Sequence, residues 1–241
     1  MWKGLDKMVK KRLQIGQIPA VIWNNTSSHV IIAVHGNMSN KEDVPIQILA
    51  ETAEHKGYQV LSFDLPQHGE RQTENTLCKV EICVHELQLI MEYVKGRWST
   101  IDLFANSIGA YFSLMTFSHE PIQHAWFLSP VVDMQNIIEN MMIWFHIDEE
   151  QLRKEKEIST PIGQTLYWDY YCYVKKHPIT NWPISCDILY GEHDDMCDYG
   201  IIDQFVNTFH CNLQVMKNGE HYFHTPEQIA VYRAWLITHL I

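Results

Sequence analysis

The chain has 241 residues, of which 46% are hydrophobic, 12% aromatic and 20% charged. This length fits one domain with an ordinary hydrophobic core, and the composition excludes disordered and fibrous proteins. The formal net charge of −11 argues against a nucleic-acid partner, because nucleic-acid binders concentrate Lys and Arg on one face. No apolar run reaches the roughly 18 residues that a membrane span needs.

The cysteines and the N-terminal residues bear on the cellular compartment. Six cysteines occur, at Cys78, Cys83, Cys172, Cys186, Cys197 and Cys211. None forms a Cys-x-x-Cys pair or another zinc-ligand spacing, and a domain of this size does not need disulfides. Residues 1–14 contain no apolar segment of the kind found in signal peptides. We therefore expect free thiols in a reducing compartment and a cytoplasmic protein.

Short β-rich runs alternate with helical patterns along the chain. The predicted strands are residues 12–15, 19–23, 29–34, 58–63, 101–105, 124–128, 186–190 and 212–216. The predicted helices are residues 45–55, 79–95, 108–118, 134–145, 149–157 and 226–240. Most of the strands are apolar on both faces, which is typical of a parallel sheet that helices cover on both sides. The sequence predicts a single α/β domain, residues 1–241, with a mostly parallel sheet of about eight strands.

Residues 131–183 interrupt this alternation. The segment lies between two predicted strands and is too long for a simple loop, and it contains helical patterns of its own. We expect a helical cap inserted over one end of the sheet. Because this segment is rich in Met and aromatic residues, we place Met142, Trp144 and Trp168 in an apolar wall of a substrate pocket. The alternative for each side chain is simple packing of the cap onto the sheet.

Ser107 has the surroundings of a catalytic nucleophile. An apolar strand leads into it and an apolar helix leaves it. A nucleophile elbow needs this strand–turn–helix context, with small residues two positions before and after the serine. Ala105 and Gly109 occupy these positions, although Gly is usual at the first. The alternative is a serine that caps the N-terminus of a buried helix.

Motifs that follow predicted strands carry a resemblance to a known family. They are VHGN at 34–37, DLPQHG at 64–69, the turn at Ser107, and GEHD at 191–194 with GEH at 219–221. In this order they resemble the α/β-hydrolase superfamily, and the resemblance covers nearly the whole chain. The chain is most similar to small cytosolic esterases and to acylglycerol-lipase-like or peptidase-like members with a cap. The resemblance implies the α/β-hydrolase fold and a serine, acid and histidine in that order.

The resemblance also assigns roles to individual residues. The family spacing Gly-x-x-Asp selects Asp194 as the acid, and a histidine after Gly and before aromatic residues selects His221 as the base. The backbone amides of Asn37 and Ile108 form the implied oxyanion hole. The loop at 64–71 has a mainly structural role in the family.

Other residues remain open as alternatives for the acid and the base. Asp195, close to Asp194, and Asp133, which follows the sixth strand, are alternative acids. His224 is a second histidine in the loop that carries His221, but a metal site of these two histidines lacks a third ligand at a recognisable spacing.

We expect a serine hydrolase that cleaves an ester, or a related acyl bond, of a small-to-medium apolar or aromatic substrate. No metal and no organic cofactor is implied, and the expected partner is a small-molecule substrate. Thioesterase, acyltransferase and peptidase activities use the same three residues and remain open. A non-catalytic ligand-binding protein on the same scaffold is the alternative from another class.

Overall fold

The structure is a computed structural model that describes residues 9–240. Residues 1–8, which form part of the N-terminal stretch used above to predict the compartment, and residue 241 lie outside the described residues. The strands are β1 Lys10–Ile15, β2 Ile18–Trp23, β3 His29–Val34, β4 Gln59–Phe63, β5 Thr100–Asn106, β6 Ile122–Leu128, β7 Glu157–Ser159, β8 Thr165–Tyr167, β9 Cys186–His193 and β10 Asn212–Glu220. The helices are α1 Val44–His55, α2 Val80–Lys95, α3 Ile108–Phe117, α4 Met134–Trp144, α5 Glu149–Glu155, α6 Trp168–Lys176, α7 Tyr199–Phe209 and α8 Pro226–His239.

Eight of the strands form one sheet in the order β1-β2-β4-β3-β5-β6-β9-β10. β1 and β2 form an antiparallel hairpin, and β2 pairs antiparallel with β4. All other neighbours in this sheet are parallel. The strand order reverses between β3 and β5, because β4 lies on one side of β3 and β5 on the other. Ligands of open α/β sheets bind at the carboxyl ends of the strands beside such a switch point.

Side chains on the two faces of the sheet pack into two separate cores. In β3, Val30 and Ile32 belong to one core, whereas Ile31 and Ala33 belong to the other, as the two-residue period of a strand requires. Apolar side chains of α1 and α8 cover one face. Apolar side chains of α2, α3 and α7 cover the opposite face. The predicted mostly parallel sheet with helices on both faces is confirmed.

The predicted elements agree with the observed ones to within a few residues, but three features were not predicted. β7 and β8 pair as a small separate sheet, and each has only three residues, which is too short for a periodic pattern. Helix α6 lies in the aromatic stretch that we treated only as cap composition. Helix α7 is the third, although its apolar residues between Ile201 and Phe209 recur with the spacing of one helix face and pack in or against the core.

The prediction that the cysteines are free thiols is wrong for one pair. Cys186 and Cys211 form a disulfide with a Cα–Cα distance of 5.1 Å. The disulfide is possible because β9 and β10 are neighbouring strands in which Asp187 lies opposite Asn212. Cys186 and Cys211, each one position earlier, therefore lie side by side. Sequence spacing does not show this neighbourhood. The expectation of a reducing compartment rested on free thiols and loses that support.

Among residues 9–240, none of the helices combines the length and the apolar character that crossing a membrane requires. The buried helix α3, which has a mostly apolar sequence, has only ten residues. A membrane-spanning helix needs about 20.

A buried ion pair fixes the loop that follows β4. Asp64 is fully buried and accepts hydrogen bonds from the backbone amides of Lys41, at 2.9 Å, and Glu70, at 3.0 Å. The ammonium group of Lys41, which is itself buried, contacts the same carboxylate and that of Glu70. These contacts support the structural role that the sequence suggested for the loop.

We predict that Lys41→Met lowers the free energy of unfolding by about 3–5 kcal/mol, because it leaves the Asp64 carboxylate buried without its cation. Lys10→Met is the matched control, since Lys10 pairs with Glu42 at a more exposed position and should cost at most about 1 kcal/mol. Urea denaturation of both variants measures the difference. Equal losses would contradict the assignment of the stabilising role to the buried pair.

Candidate active site

Ser107 lies between β5 and α3 at the carboxyl end of a central strand of the sheet. Its backbone has φ 50° and ψ −120°, a region that residues with a side chain rarely adopt. Such a conformation costs about 1–3 kcal/mol and persists only where the surroundings enforce it. Here the Ser107 amide donates to the carbonyl of Leu128 at 3.1 Å, and its carbonyl accepts from Val131 at 3.0 Å. The end of β6 therefore holds the turn in place.

The turn also depends on the absence of side chains at two glycines. A Cβ on Gly109 would lie 2.5 Å from the carbonyl oxygen of His35 and 2.7 Å from that of Val34. A Cβ on Gly36 would lie 3.2 Å from the Cβ of Ser107. The end of β3 and the start of α3 thus approach as closely as backbone permits, and this approach brings the loop after β3 against Ser107.

Three predicted residues meet through hydrogen bonds although they lie far apart in the chain. The Oγ of Ser107 is 2.8 Å from Nε2 of His221, which follows β10. The Nδ1 of His221 is 2.8 Å from Oδ2 of Asp194, which follows β9. The side chain of Asp194 is completely buried, and its other oxygen accepts from the amides of Met196 and Cys197 at 2.9 and 2.8 Å. The carboxylate is thereby fixed in the orientation that meets His221.

The alternative residues have other contacts. Asp195 is exposed, while Asp133 caps α4 by accepting from the amide of Asn136. Asp198, a third aspartate in the loop after β9, caps α7 in the same way, by accepting from the amide of Gly200. His224 stacks on Tyr222, with ring centroids 5.0 Å apart, and its Nδ1 lies 2.8 Å from the Tyr222 carbonyl.

The loop after β3 carries Asn37 close to Ser107, and the side chain of His35 supports it from below. His35 is fully buried and accepts from the amide of Leu65 through Nε2, while Nδ1 donates to the carbonyl of Gly36. Burial lowers the pKa of His35 to about 4, so the ring stays neutral. Ile108 is the first residue of α3, and the first amides of a helix have no partner within it. Asn37 and Ile108 both line the cavity that contains Ser107.

This cavity has a volume of about 610 Å³ and a lining that is partly apolar and partly polar. The apolar part includes Ile108, Val131 and one face of α4. The α4 residues in it are spaced as one helix face requires and are Met134, Ile137, Ile138 and Met141. The rest of the lining includes polar side chains of the 67–79 segment and of residues 163–167. Tyr170 of α6 also lines the cavity.

The predicted pocket residues Met142, Trp144 and Trp168 do not line this cavity, which corrects the sequence-based assignment. Met142 is buried in the core, Trp168 packs against the core, and Trp144 is 45% exposed. Met142 comes one position after the lining residue Met141, and Trp144 comes three positions after it, at the C-terminal end of α4. The prediction used composition, whereas the i, i+3, i+4, i+7 spacing that starts at Met134 would have found the lining face.

Comparisons with known proteins add a structural relationship. No protein-family model matches the chain, and no curated protein matches it in sequence. Among solved structures, Est1E from Butyrivibrio proteoclasticus with ferulic acid bound has a TM-score of 0.78, is 16% identical, and is aligned over 95% of this chain and 97% of its own. Mouse alpha/beta hydrolase domain-containing protein 10 has a TM-score of 0.77, is 13% identical, and is aligned over 96% and 98%. The chain has the α/β-hydrolase fold.

The α/β-hydrolase fold also occurs in a structure described as lacking a lid. This is XC6422 from Xanthomonas campestris, a member of the a/b serine hydrolases, with a TM-score of 0.63 and 14% identity, aligned over 97% of this chain and 93% of its own. In the present chain, residues between β6 and β9 form α4, α5, α6 and the β7–β8 pair, and α4 and β8 contribute to the cavity wall.

One set of side chains in the described part of the chain has the donor atoms of a metal site. The ligand atoms of Asp194, Cys197 and His221 lie within 4.8 Å of one another. Both oxygens of Asp194 and the Nδ1 of His221 already take part in the hydrogen bonds described above. A metal ion would have to break those bonds, so the arrangement fits a hydrogen-bonded acid–histidine pair better than a metal centre.

We predict that Gly109→Ala lowers the free energy of unfolding by about 1–3 kcal/mol or more, because the new methyl group would overlap carbonyl oxygens that the sheet holds in place. Gly96→Ala is the control, because a Cβ there meets nothing closer than 3.9 Å and should change stability by no more than about 0.5 kcal/mol. Chemical denaturation compares the two. Full stability of Gly109→Ala would contradict the close approach of β3 and α3.

Proposed function

We propose that the protein is a serine hydrolase that cleaves carboxylic esters through an acyl-enzyme on Ser107. The observation that carries the proposal is the 2.8 Å contact between Ser107 Oγ and His221 Nε2. A serine hydroxyl is a weak nucleophile until an adjacent base takes its proton, and this contact lies within the reach that such a transfer needs. The relation in fold to esterases and serine hydrolases supports the proposal.

His221 acts first as general base and then as general acid. It takes the Ser107 proton as Oγ attacks the ester carbonyl, and it gives that proton to the departing alcohol. Asp194 accepts from Nδ1, which keeps the unprotonated Nε2 directed at Ser107 and stabilises the imidazolium. In the second half of the cycle, His221 activates a water molecule that hydrolyses the acyl-enzyme. No step requires a metal or an organic cofactor.

The amides of Asn37 and Ile108 stabilise the oxyanion in this mechanism. Negative charge develops on the carbonyl oxygen during attack, and fixed backbone donors stabilise it without reorganisation. Two features support this role. Ile108 is the N-terminal residue of α3, where the helix dipole favours an anion, and Gly36 brings the loop of Asn37 against Ser107.

The substrate in this proposal is a small molecule with a small-to-medium apolar or aromatic acyl group. A cavity of about 610 Å³ accommodates such a group, and the α4 face gives it an apolar wall. The structure of Est1E with ferulic acid, an aromatic acid, supports the aromatic alternative. The polar part of the lining provides contacts for the ester oxygen atoms and the alcohol group. Residues 131–183 serve as the cap in this proposal, and α4 is the part that selects the acyl group.

We predict that Ser107→Ala lowers kcat for p-nitrophenyl ester hydrolysis by about 10⁴-fold or more, and that Asp194→Asn lowers it by a factor on the order of 10⁴. In Asp194→Asn, the amide holds the imidazole in the wrong tautomer. Asp195→Asn is the control, because this neighbouring carboxylate is exposed and should leave kcat nearly unchanged. A large loss in Asp195→Asn with none in Asp194→Asn would place the acid one residue further along the chain.

We also predict that Met141→Trp moves the preferred acyl chain to shorter lengths, because the larger side chain fills part of the cavity. Each methylene that still fits should raise kcat/KM by about fourfold, from ~0.8 kcal/mol of burial. Trp144→Ala is the control, since this exposed side chain lies outside the cavity wall. The test is kcat/KM across p-nitrophenyl esters of increasing chain length. An unchanged profile in Met141→Trp would exclude α4 as the specificity element.

A further inference from the structure

A pair of cysteines in the cavity wall is not used by the proposed mechanism. Cys78 is half-buried and lines the cavity that contains Ser107. Cys83 lies behind it, fully buried in the first turns of α2, and the two sulfur atoms are 3.7 Å apart. A disulfide has an S–S length of about 2.05 Å, so the sulfurs need to approach by less than 2 Å.

The surroundings of Cys78 favour a thiolate. His68 also lines the cavity, and its two ring nitrogens lie 2.8 Å from the carbonyl oxygen of Pro66 and 3.1 Å from the side-chain oxygen of Asn37. The Pro66 carbonyl can only accept, so Nδ1 of His68 donates to it. Burial opposes the charged form of His68, but the interactions with Cys78 and Pro66 outweigh it and raise the pKa of His68.

The pKa values of the two thiols are shifted in opposite directions. A hydrogen bond from Cys83, together with the contact to His68, lowers the pKa of Cys78. Burial raises the pKa of Cys83, which therefore stays protonated and donates to the Cys78 sulfur. Cys78 also lies just before the N-terminus of α2, where the helix dipole favours an anion. Cys78 thus combines thiolate character with access from the cavity, and Cys83 is in position to react with it.

We propose that Cys78 is a redox modification site: a hydroperoxide oxidises it, Cys83 closes a reversible disulfide with it, and this bond slows hydrolysis at Ser107. The last part rests on the proposed function. The presence of the modification site does not.

The chemistry needs a hydroperoxide and no other reactant. The Cys78 thiolate attacks one peroxide oxygen, an S–O bond forms, the O–O bond breaks, and the other oxygen leaves as an alcohol, or as water from hydrogen peroxide. Cys78 is now a sulfenic acid, oxidised by two electrons that the peroxide has taken up. Cys83 then loses its proton and attacks the Cys78 sulfur, and hydroxide leaves with that proton as water. Two thiols and one hydroperoxide give one disulfide, one alcohol and one water.

The disulfide changes the cavity in two ways. Cys83 is held in α2, whereas Cys78 lies outside the helices and strands, so Cys78 moves toward Cys83 and draws with it the adjacent wall residues Leu77 and Lys79. The bond also removes the negative charge beside His68, which contacts the side chain of Asn37. Both changes act on the side of the cavity that carries the proposed oxyanion loop.

The disulfide can be detected directly, independent of activity. The protein is treated with hydrogen peroxide, its remaining thiols are alkylated, and it is digested with trypsin without reduction. Trypsin cleaves after Arg71, Lys79 and Lys95, so a Cys78–Cys83 bond joins peptide 72–79 to peptide 80–95. We expect this linked pair in the wild type. In Cys83→Ser we expect dimedone to trap a sulfenic acid on Cys78. Absence of both products would overturn the proposal.

The effect on hydrolysis is measured for each variant against its own untreated rate. Peroxide should lower kcat/KM of the wild type by on the order of tenfold or more, with recovery after dithiothreitol, because small displacements in a catalytic site are costly. Cys78→Ser should lose this sensitivity. Cys172→Ser, which removes a half-buried free thiol of α6, should retain it. The Cys186–Cys211 disulfide is present in all variants and cancels in the comparison.

Equal peroxide sensitivity in Cys78→Ser and the wild type would overturn the regulatory part, even if the linked peptides were found. A reduced protein that hydrolyses no ester would contradict the proposed function instead. The linked peptides would then still decide whether the modification site exists.

Discussion

The close contact between the end of β3 and the start of α3 is the constraint on which the candidate active site depends. Ser107 adopts a backbone conformation that is unfavourable for serine, and hydrogen bonds to Leu128 and Val131 at the end of β6 hold it there. The start of α3 meets carbonyl oxygens of β3 at a distance that only glycine permits at position 109. The strain is therefore balanced by the pairing of central strands, which are the most deeply buried part of the sheet.

Once this turn is fixed, the parallel order of the sheet supplies the other groups. β9 and β10 lie beyond β6, so the loops that follow them end at the same edge as Ser107. Asp194 and His221 come from these loops, and His221 bonds to a serine 114 positions away in the chain. Only glycine at position 191 allows these two loops to approach so closely, because a Cβ there would lie 2.5 Å from the carbonyl oxygen of Glu220. The two loops are thereby held together at the distance that the Asp194–His221 bond needs.

The sequence predicted the parts of the molecule that local patterns encode. Buried strands appear in the sequence as apolar runs bounded by turn residues, so the sheet could be predicted. The small residues around Ser107 likewise indicated the sharp turn between β5 and α3. The pocket wall could not be derived from composition, because Met141 lines the cavity while Trp144, three residues later, faces solvent. The Cys186–Cys211 disulfide depends on the neighbourhood of β9 and β10, which no spacing in the chain reveals.

The proposed mechanism requires that the surroundings of Ser107 make its hydroxyl a nucleophile. Reaction with a fluorophosphonate, followed by peptide mapping with mass spectrometry, tests this most directly because it does not require the natural substrate. We expect a single adduct on Ser107, and little labelling in His221→Gln, where the base is missing. An adduct on the buried residues Ser113 or Ser129, or labelling of Ser107 that is equally fast without His221, would show that His221 does not activate Ser107.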